Sequence, residues 1–201
     1  MPVRDSQKFD MNALQAYMEE HVEGFSGTLD AEEFRGGQSN PTYRLSAGGK
    51  HYVLRRKPPG ILLKSAHAVD REFRVQKALA GSDVPVARMH VLCEDEDVIG
   101  SAFYVMELVR GRNFDDPQLP GLDSALRRGI YDRMNRVLAA IHAIDLDTHG
   151  LSDFGPEGNY YRRQIDRWTK KYRASETAMI PAMDDLIDWL DRNVPDDDGR
   201  R

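Results

Sequence analysis

Gly36-Gly37-Gln38-Ser39-Asn40-Pro41-Thr42-Tyr43-Arg44-Leu45 is followed, five residues later, by His51-Tyr52-Val53-Leu54-Arg55-Arg56-Lys57. Thr42–Leu45 and His51–Arg55 are rich in β-branched and aromatic residues, and Gly48-Gly49 lies between them. Two glycines tolerate positive φ at both centres of a tight turn, so the stretch predicts a hairpin. The glycines upstream let backbone approach an anion closely, and Ser39 and Asn40 add side-chain donors. Ordinary loop chemistry explains Gly36–Asn40 equally well on these residues alone. In the second strand Val53 and Arg55 share a face. That places a small apolar residue beside a cation; a basic edge strand facing water is the plainer reading. Arg56 and Lys57 follow directly, which leaves the register open.

Working outward, Met11 to Val22 reads as a helix capped by Asp10, and Leu29 to Arg35 as a strand. Ser65 can cap a helix that runs to about Ala80 and stops at Gly81. Its apolar stripe is Val69, Phe73 and Leu79. Glu72 lies at the margin of that stripe, with Ala68, Val69, Val75 and Gln76 three and four residues away. None is a cation, so Glu72 has no partner on its own helix. A carboxylate beside a core face needs a partner from elsewhere, and Arg55 is the candidate; an exposed Glu72 is the alternative. Val86–Cys93 and Ala102–Val109 read as two more strands, joined by the acidic turn Glu94–Asp97 and Gly100. Phe103 to Gly111 is an apolar strand entering a glycine-bearing connection, as a hinge requires.

Beyond that connection the character changes to helix. Leu126, Ile130, Met134, Val137, Ile141 and Ile144 form one stripe of a helix starting at Asp123 or Ser124. Tyr161, Ile165, Trp168 and Tyr172 mark a second helix, and Pro181 opens a third that closes before Pro195. The expected class is α+β, with a division at 111/112: residues 1–111 strand-rich with one inserted helix, residues 112–201 helical.

Composition narrows the functions. Twenty-eight Lys and Arg against 33 Asp and Glu give a net charge of −5, which offers no global attraction to nucleic acid or anionic membrane. The 40% hydrophobic content supports a globular core. Cys93 is the single cysteine, so no internal disulfide forms. The first twelve residues carry no apolar run suited to a signal peptide, and a cytoplasmic location is expected. The basic stretch Arg162, Arg163, Arg167, Lys170, Lys171 and Arg173 is interleaved with aromatics. It reads as a solvated face, with nucleic acid or an anionic substrate as alternatives.

Taken in order, these motifs resemble the aminoglycoside phosphotransferase family. The branch is the one related to kinase domains fused to acyl-CoA dehydrogenases. The wording of Gly36–Leu45, Tyr52–Gly60, Ser65–Glu72, Phe103–Gly111, Gly150–Gly155 and Arg163–Trp168 carries the likeness. The resemblance implies a protein-kinase-like fold, with a β-rich N-lobe and an α-helical C-lobe left incomplete in this chain. It implies ATP with Mg²⁺ as cofactors and transfer of the γ-phosphate to a hydroxyl of a small molecule. A hydroxyacyl-CoA and an aminoglycoside-like alcohol are both open as acceptors. By position, Gly37, Ser39 and Asn40 cover the phosphates, Val53 packs on adenine, and Arg55 binds phosphate with Glu72 holding it. The C=O of Glu107 and N–H of Val109 meet the adenine edge.

The family's chemistry also needs a His-Gly-Asp loop, a following Asn and a further Asp for the metal. The sequence contains none of these, so no catalytic or metal residue is assigned and the chain is expected to be an inactive fragment. A non-catalytic nucleotide-binding or interaction module is the alternative. His149-Gly150 and Asp153-Phe154-Gly155 imitate two of the missing motifs without the required spacing, and are read as an inter-helix turn. His142 is read as a packed helix residue. With the rest of a second lobe absent, the helix from Leu126 is expected to expose an apolar patch around Met134, Leu138 or Ile141, and the isolated chain to be prone to aggregate.

Overall fold

A computed structural model describes residues 8–34, 40–58 and 67–196. The chain forms two compact units, one running to His149 and the other from Gly150. The switch from strands to helices falls after Glu107, whereas compactness breaks between His149 and Gly150.

The first unit is built on five antiparallel strands: β1 (Asp30–Glu33), β2 (Thr42–Ala47), β3 (Lys50–Arg56), β4 (Met89–Cys93) and β5 (Phe103–Glu107). Their spatial order is β1-β2-β3-β5-β4. The β2–β3 hairpin forms where the sequence places it. Gly48 and Gly49 have φ of 54° and 76°, and Ala47 pairs with Lys50 across them. A two-residue turn with both centres at positive φ closes this register and matches strand twist.

Period-two alternation then sorts each strand between two cores. Tyr43, Leu45, Tyr52, Leu54, Phe103 and Val105 point to one face and pack with Leu14 and Met18. Those two belong to α1 (Met11–His21), whose first turn is capped by the Asp10 carboxylate accepting from the Asn12 and Ala13 N–H groups. On the other face Ala102 and Tyr104 pack with Val69 and Phe73 of α2 (Val69–Ala78).

Two elements start three residues later than the sequence reading places them. α2 begins at Val69 with Ala68 as its cap, and Ser65 lies outside the described residues. β4 begins only at Met89, not at Val86; just before it, Arg88 bonds Glu107 through its C=O to the Glu107 N–H and through its N–H to the Glu107 carboxylate.

α3 (Ser124–His142) starts at its expected cap, Asp123, whose carboxylate accepts from the Leu126 N–H at 2.8 Å. None of its residues is buried, and Met134, Leu138 and Ile141 are 58%, 51% and 46% exposed, as the apolar stripe without a partner predicted. His142 is exposed as well, which corrects its reading as a packed residue: on α3 only Ile130, Val137 and Ala140 are partly covered, and His142 lies off that side. No described helix is long and apolar enough to cross a membrane.

The second unit pairs α4 (Tyr160–Ser175) with α5 (Pro181–Arg192). Trp168, Tyr172, Met183, Leu186 and Leu190 line an apolar groove between them. Arg162 and Arg173, at the two ends of α4, are ion-paired with Asp191 and Asp184 of α5. Part of the basic stretch is therefore spent inside this unit.

Candidate functional site

The register of three neighbouring strands builds one polar row. Thr42 pairs with Arg55, and Arg55 with Tyr104. All three residues point to the α2 face of the sheet, where α2 presents Glu72. The Arg55 Nε donates to Glu72 Oε2 at 2.8 Å, and its Nη1 donates to Thr42 Oγ1 at 3.2 Å. Tyr104 donates its hydroxyl to the same Glu72 oxygen at 3.1 Å, and Asn40 Nδ2 donates to Glu72 Oε1 at 3.0 Å. Gln76, one turn along α2, reaches the Tyr104 hydroxyl at 3.5 Å.

The carboxylate thus receives three donors from three different chain segments. A solvent-exposed Arg–Glu pair contributes only about 0–1 kcal/mol by itself. Here the side chains are about one-third exposed, and two neutral donors share the load. Charge-assisted hydrogen bonds of this kind contribute roughly twice what neutral ones do. Burial raises the Tyr104 pKa to about 12, and the adjacent Glu72 charge and hydrogen bond add to the effect. The phenol therefore stays a donor throughout the neutral range.

Arg55 spends Nε and Nη1 on Glu72 and Thr42, and its Nη2 is engaged by no described residue. Its guanidinium is one-third exposed on the sheet face that also carries Val53. Arg56 points the other way: it is 2% exposed, donates to the Ile99 C=O at 3.2 Å and lies over the Phe9 ring. The alternation of β3 therefore decides which of the adjacent arginines belongs to the site.

The other predicted residues are placed as follows. Gly37 and Ser39 lie outside the described residues. Asn40 is 2% exposed, with its amide between Glu72 and His67. Glu107 ends β5, where its N–H donates to the Arg88 C=O and its carboxylate accepts from the Arg88 N–H. Val109 lies beyond the strand and is 65% exposed. Asp153-Phe154-Gly155 forms a turn between α3 and α4, with the Phe154 N–H donating to the Leu151 C=O at 2.9 Å.

Sequence reading missed Thr42, Tyr104, His67 and Gln76. Strand parity signals the first two once the register is known, and Gln76 lies one turn from Glu72. Nothing local marks His67.

Residues 30–201 match the model of the APH phosphotransferase enzyme family. The chain belongs to the APH phosphotransferase family. A crystal structure of a protein assigned to the aminoglycoside phosphotransferases, from Ralstonia eutropha JMP134, is 55% identical. It superposes with a TM-score of 0.80 over 96% of this chain and 56% of that one. The aminoglycoside phosphotransferase APH(4)-Ia shares the fold at a TM-score of 0.56 and 16% identity, over 91% of this chain and 61% of its own. Mouse acyl-CoA dehydrogenase family members 10 and 11 are 47% and 46% identical over 96% and 98% of this chain. The APH chain spans 18% and 26% of those two relatives. The architecture is α+β of the kinase-like type that these APH relatives share.

Proposed function

We propose that this APH-family chain supplies the nucleotide-binding part of an ATP-dependent small-molecule kinase. Residues 1–111 form the nucleotide lobe and residues 112–201 belong to the helical lobe. The observation that carries this reading is Arg55. It is held through Nε and Nη1, and its Nη2, on an accessible sheet face, is engaged by no described residue and is the group we assign to a ligand. A guanidinium held in this way meets phosphate oxygens with little further loss of side-chain entropy. Val53, 6% exposed, shares that face and is the apolar residue we assign to the base. Glu107 and Val109 stand at the hinge where backbone groups read the adenine edge, and Gly37 and Ser39 cover the phosphates.

The sequence contains no His-Gly-Asp followed by asparagine. We therefore assign Mg²⁺ coordination and the transfer step to no residue of this chain, and the 201 residues alone are expected to turn over no ATP. The phosphoryl acceptor is a small molecule bearing a hydroxyl group; the compartment is the cytoplasm.

Titration of ATP into the purified chain tests this reading. Wild type binds saturably, and Arg55→Ala weakens binding about tenfold or more, as expected for losing one charge-assisted phosphate contact. Equal affinity in the two proteins, or no saturable binding in wild type, would overturn it.

A further inference from the structure

Asn40 holds more of the site than its position beside a glycine run suggests. The side chain is 2% exposed, and both ends of its amide are used. Nδ2 donates to Glu72 Oε1 at 3.0 Å, while Oδ1 accepts from His67 Nδ1 at 2.7 Å. A carboxylate cannot donate, so the amide nitrogen must face Glu72 and the oxygen must face His67. His67 therefore carries hydrogen on Nδ1 whether or not Nε2 is protonated.

His67 is itself held in an uncommon conformation. Its φ is 60°, and its C=O accepts from the N–H of Val69, the first residue of α2, at 2.9 Å. The Asn40 C=O in turn accepts from the Thr42 hydroxyl at 3.1 Å, and that same hydroxyl receives Arg55 Nη1. Asn40 thus touches both partners of the ion pair, Glu72 directly and Arg55 through Thr42.

We propose that Asn40 is a positioning residue. It fixes the Glu72 carboxylate so that Oε2 faces Arg55 and Tyr104, and His67 locks the amide that does so. An Arg–Glu pair with one-third exposure would otherwise be populated only part of the time. A third donor on the opposite carboxylate oxygen removes the rotation that would break it. This role differs from the reading of Asn40 as a phosphate donor: at 2% exposure, one amide N–H and the amide oxygen are already engaged by Glu72 and His67. The consequence for nucleotide affinity rests on the phosphate role proposed for Arg55; the positioning itself does not.

Two readouts on the full 201-residue chain separate those claims. The first is the arginine Nε–H proton in ¹⁵N NMR spectra, with the Arg55 signal assigned by its loss in Arg55→Lys. Wild type shows a slowly exchanging Arg55 Nε–H. Asn40→Asp keeps the shape and the His67 contact but turns the donor into an acceptor, so the signal broadens or vanishes. Asn40→Ala gives a milder loss and serves if the aspartate variant does not fold.

The second readout is ATP titration of Asn40→Ala in wild-type and Glu72→Gln backgrounds. Affinity falls about tenfold in the first and less than about twofold in the second, because Asn40 acts through the carboxylate. An unchanged Nε–H signal in both Asn40 variants overturns the proposal, as does an equal loss of affinity in the two backgrounds. If wild type binds no ATP, the kinase reading fails while the Nε–H comparison still decides the role of Asn40.

Discussion

Tyr104→Phe removes one oxygen atom from the interior of the site and nothing else. The ring remains, 1% exposed and packed near Phe73, so no cavity beyond a hydroxyl is created. What goes is the 3.1 Å donor to Glu72 and the acceptor for Gln76. A hydrogen bond to a charged group contributes about 1.5–3 kcal/mol. Glu72 keeps Arg55 and Asn40, which places the expected cost near the lower end, about 1.5 kcal/mol. At about 2–4 °C per kcal/mol for a chain of this size, the melting temperature falls by roughly 3–6 °C at pH 7.

The pH dependence supplies a sharper check. Burial and the Glu72 charge raise the Tyr104 pKa from 10.0 to about 12 in the fold. A phenol whose pKa is raised by folding contributes stability that is complete below about 10 and lost as pH climbs towards 12. The melting-temperature gap between wild type and Tyr104→Phe should therefore hold constant up to about pH 10 and close above it. Tyr17 and Tyr52 are also raised by burial, and the comparison of the two proteins cancels them. Calorimetry across that range decides. A melting temperature unchanged to within about 1 °C at pH 7, or a gap that survives to pH 12, would refute the assignment of this hydroxyl to Glu72.

Two substitution pairs extend the test to the scaffold. Gly48→Ala places a Cβ 2.4 Å from the Ser26 carbonyl oxygen at φ 54°, whereas Gly49→Ala, at φ 76°, meets open space; both lower stability, Gly49→Ala by about 1 kcal/mol and Gly48→Ala by clearly more in denaturant titrations. Leu14→Ala empties a fully buried position on α1 and costs about 2–5 kcal/mol, while Leu138→Ala, on the exposed stripe of α3, stays within about 0.5 kcal/mol and reduces aggregation measured by light scattering.

Much of this architecture is legible from local chemistry. The hairpin is written in Gly48-Gly49 between two β-rich runs. The partnerless Glu72 points to a long-range cation because helix spacing exhausts its local options. The start of α3 follows from Asp123 and a regular apolar period. What stays hidden depends on contacts between distant segments. Tyr104 looks like one more aromatic in an apolar strand until pairing with Arg55 sets its face. His67 has no signature at all, since its role comes from a backbone conformation and from Asn40, 27 positions earlier. Ser65 is a good cap by type, yet α2 starts at Val69, because His67 at φ 60° lies outside right-handed helical geometry.

Adjacent arginines on β3 show how the two kinds of information meet. Arg55 and Arg56 are the same residue type, yet one faces Glu72 and the other is 2% exposed on the α1 side, with its Nε unpaired among the described residues. The Ile99 carbonyl oxygen and the Phe9 ring face are the described partners that offset the burial of this cation. A slip of one residue in the β2–β3 ladder would exchange them. It would also move Tyr52 and Leu54 to the α2 side of the sheet and Val53, already 6% exposed there, to the α1 side. The cost of misplacing two large apolar side chains far exceeds any preference between two arginines. The choice of Arg55 is therefore enforced by Tyr52, Leu54 and the two-glycine turn, all outside the site.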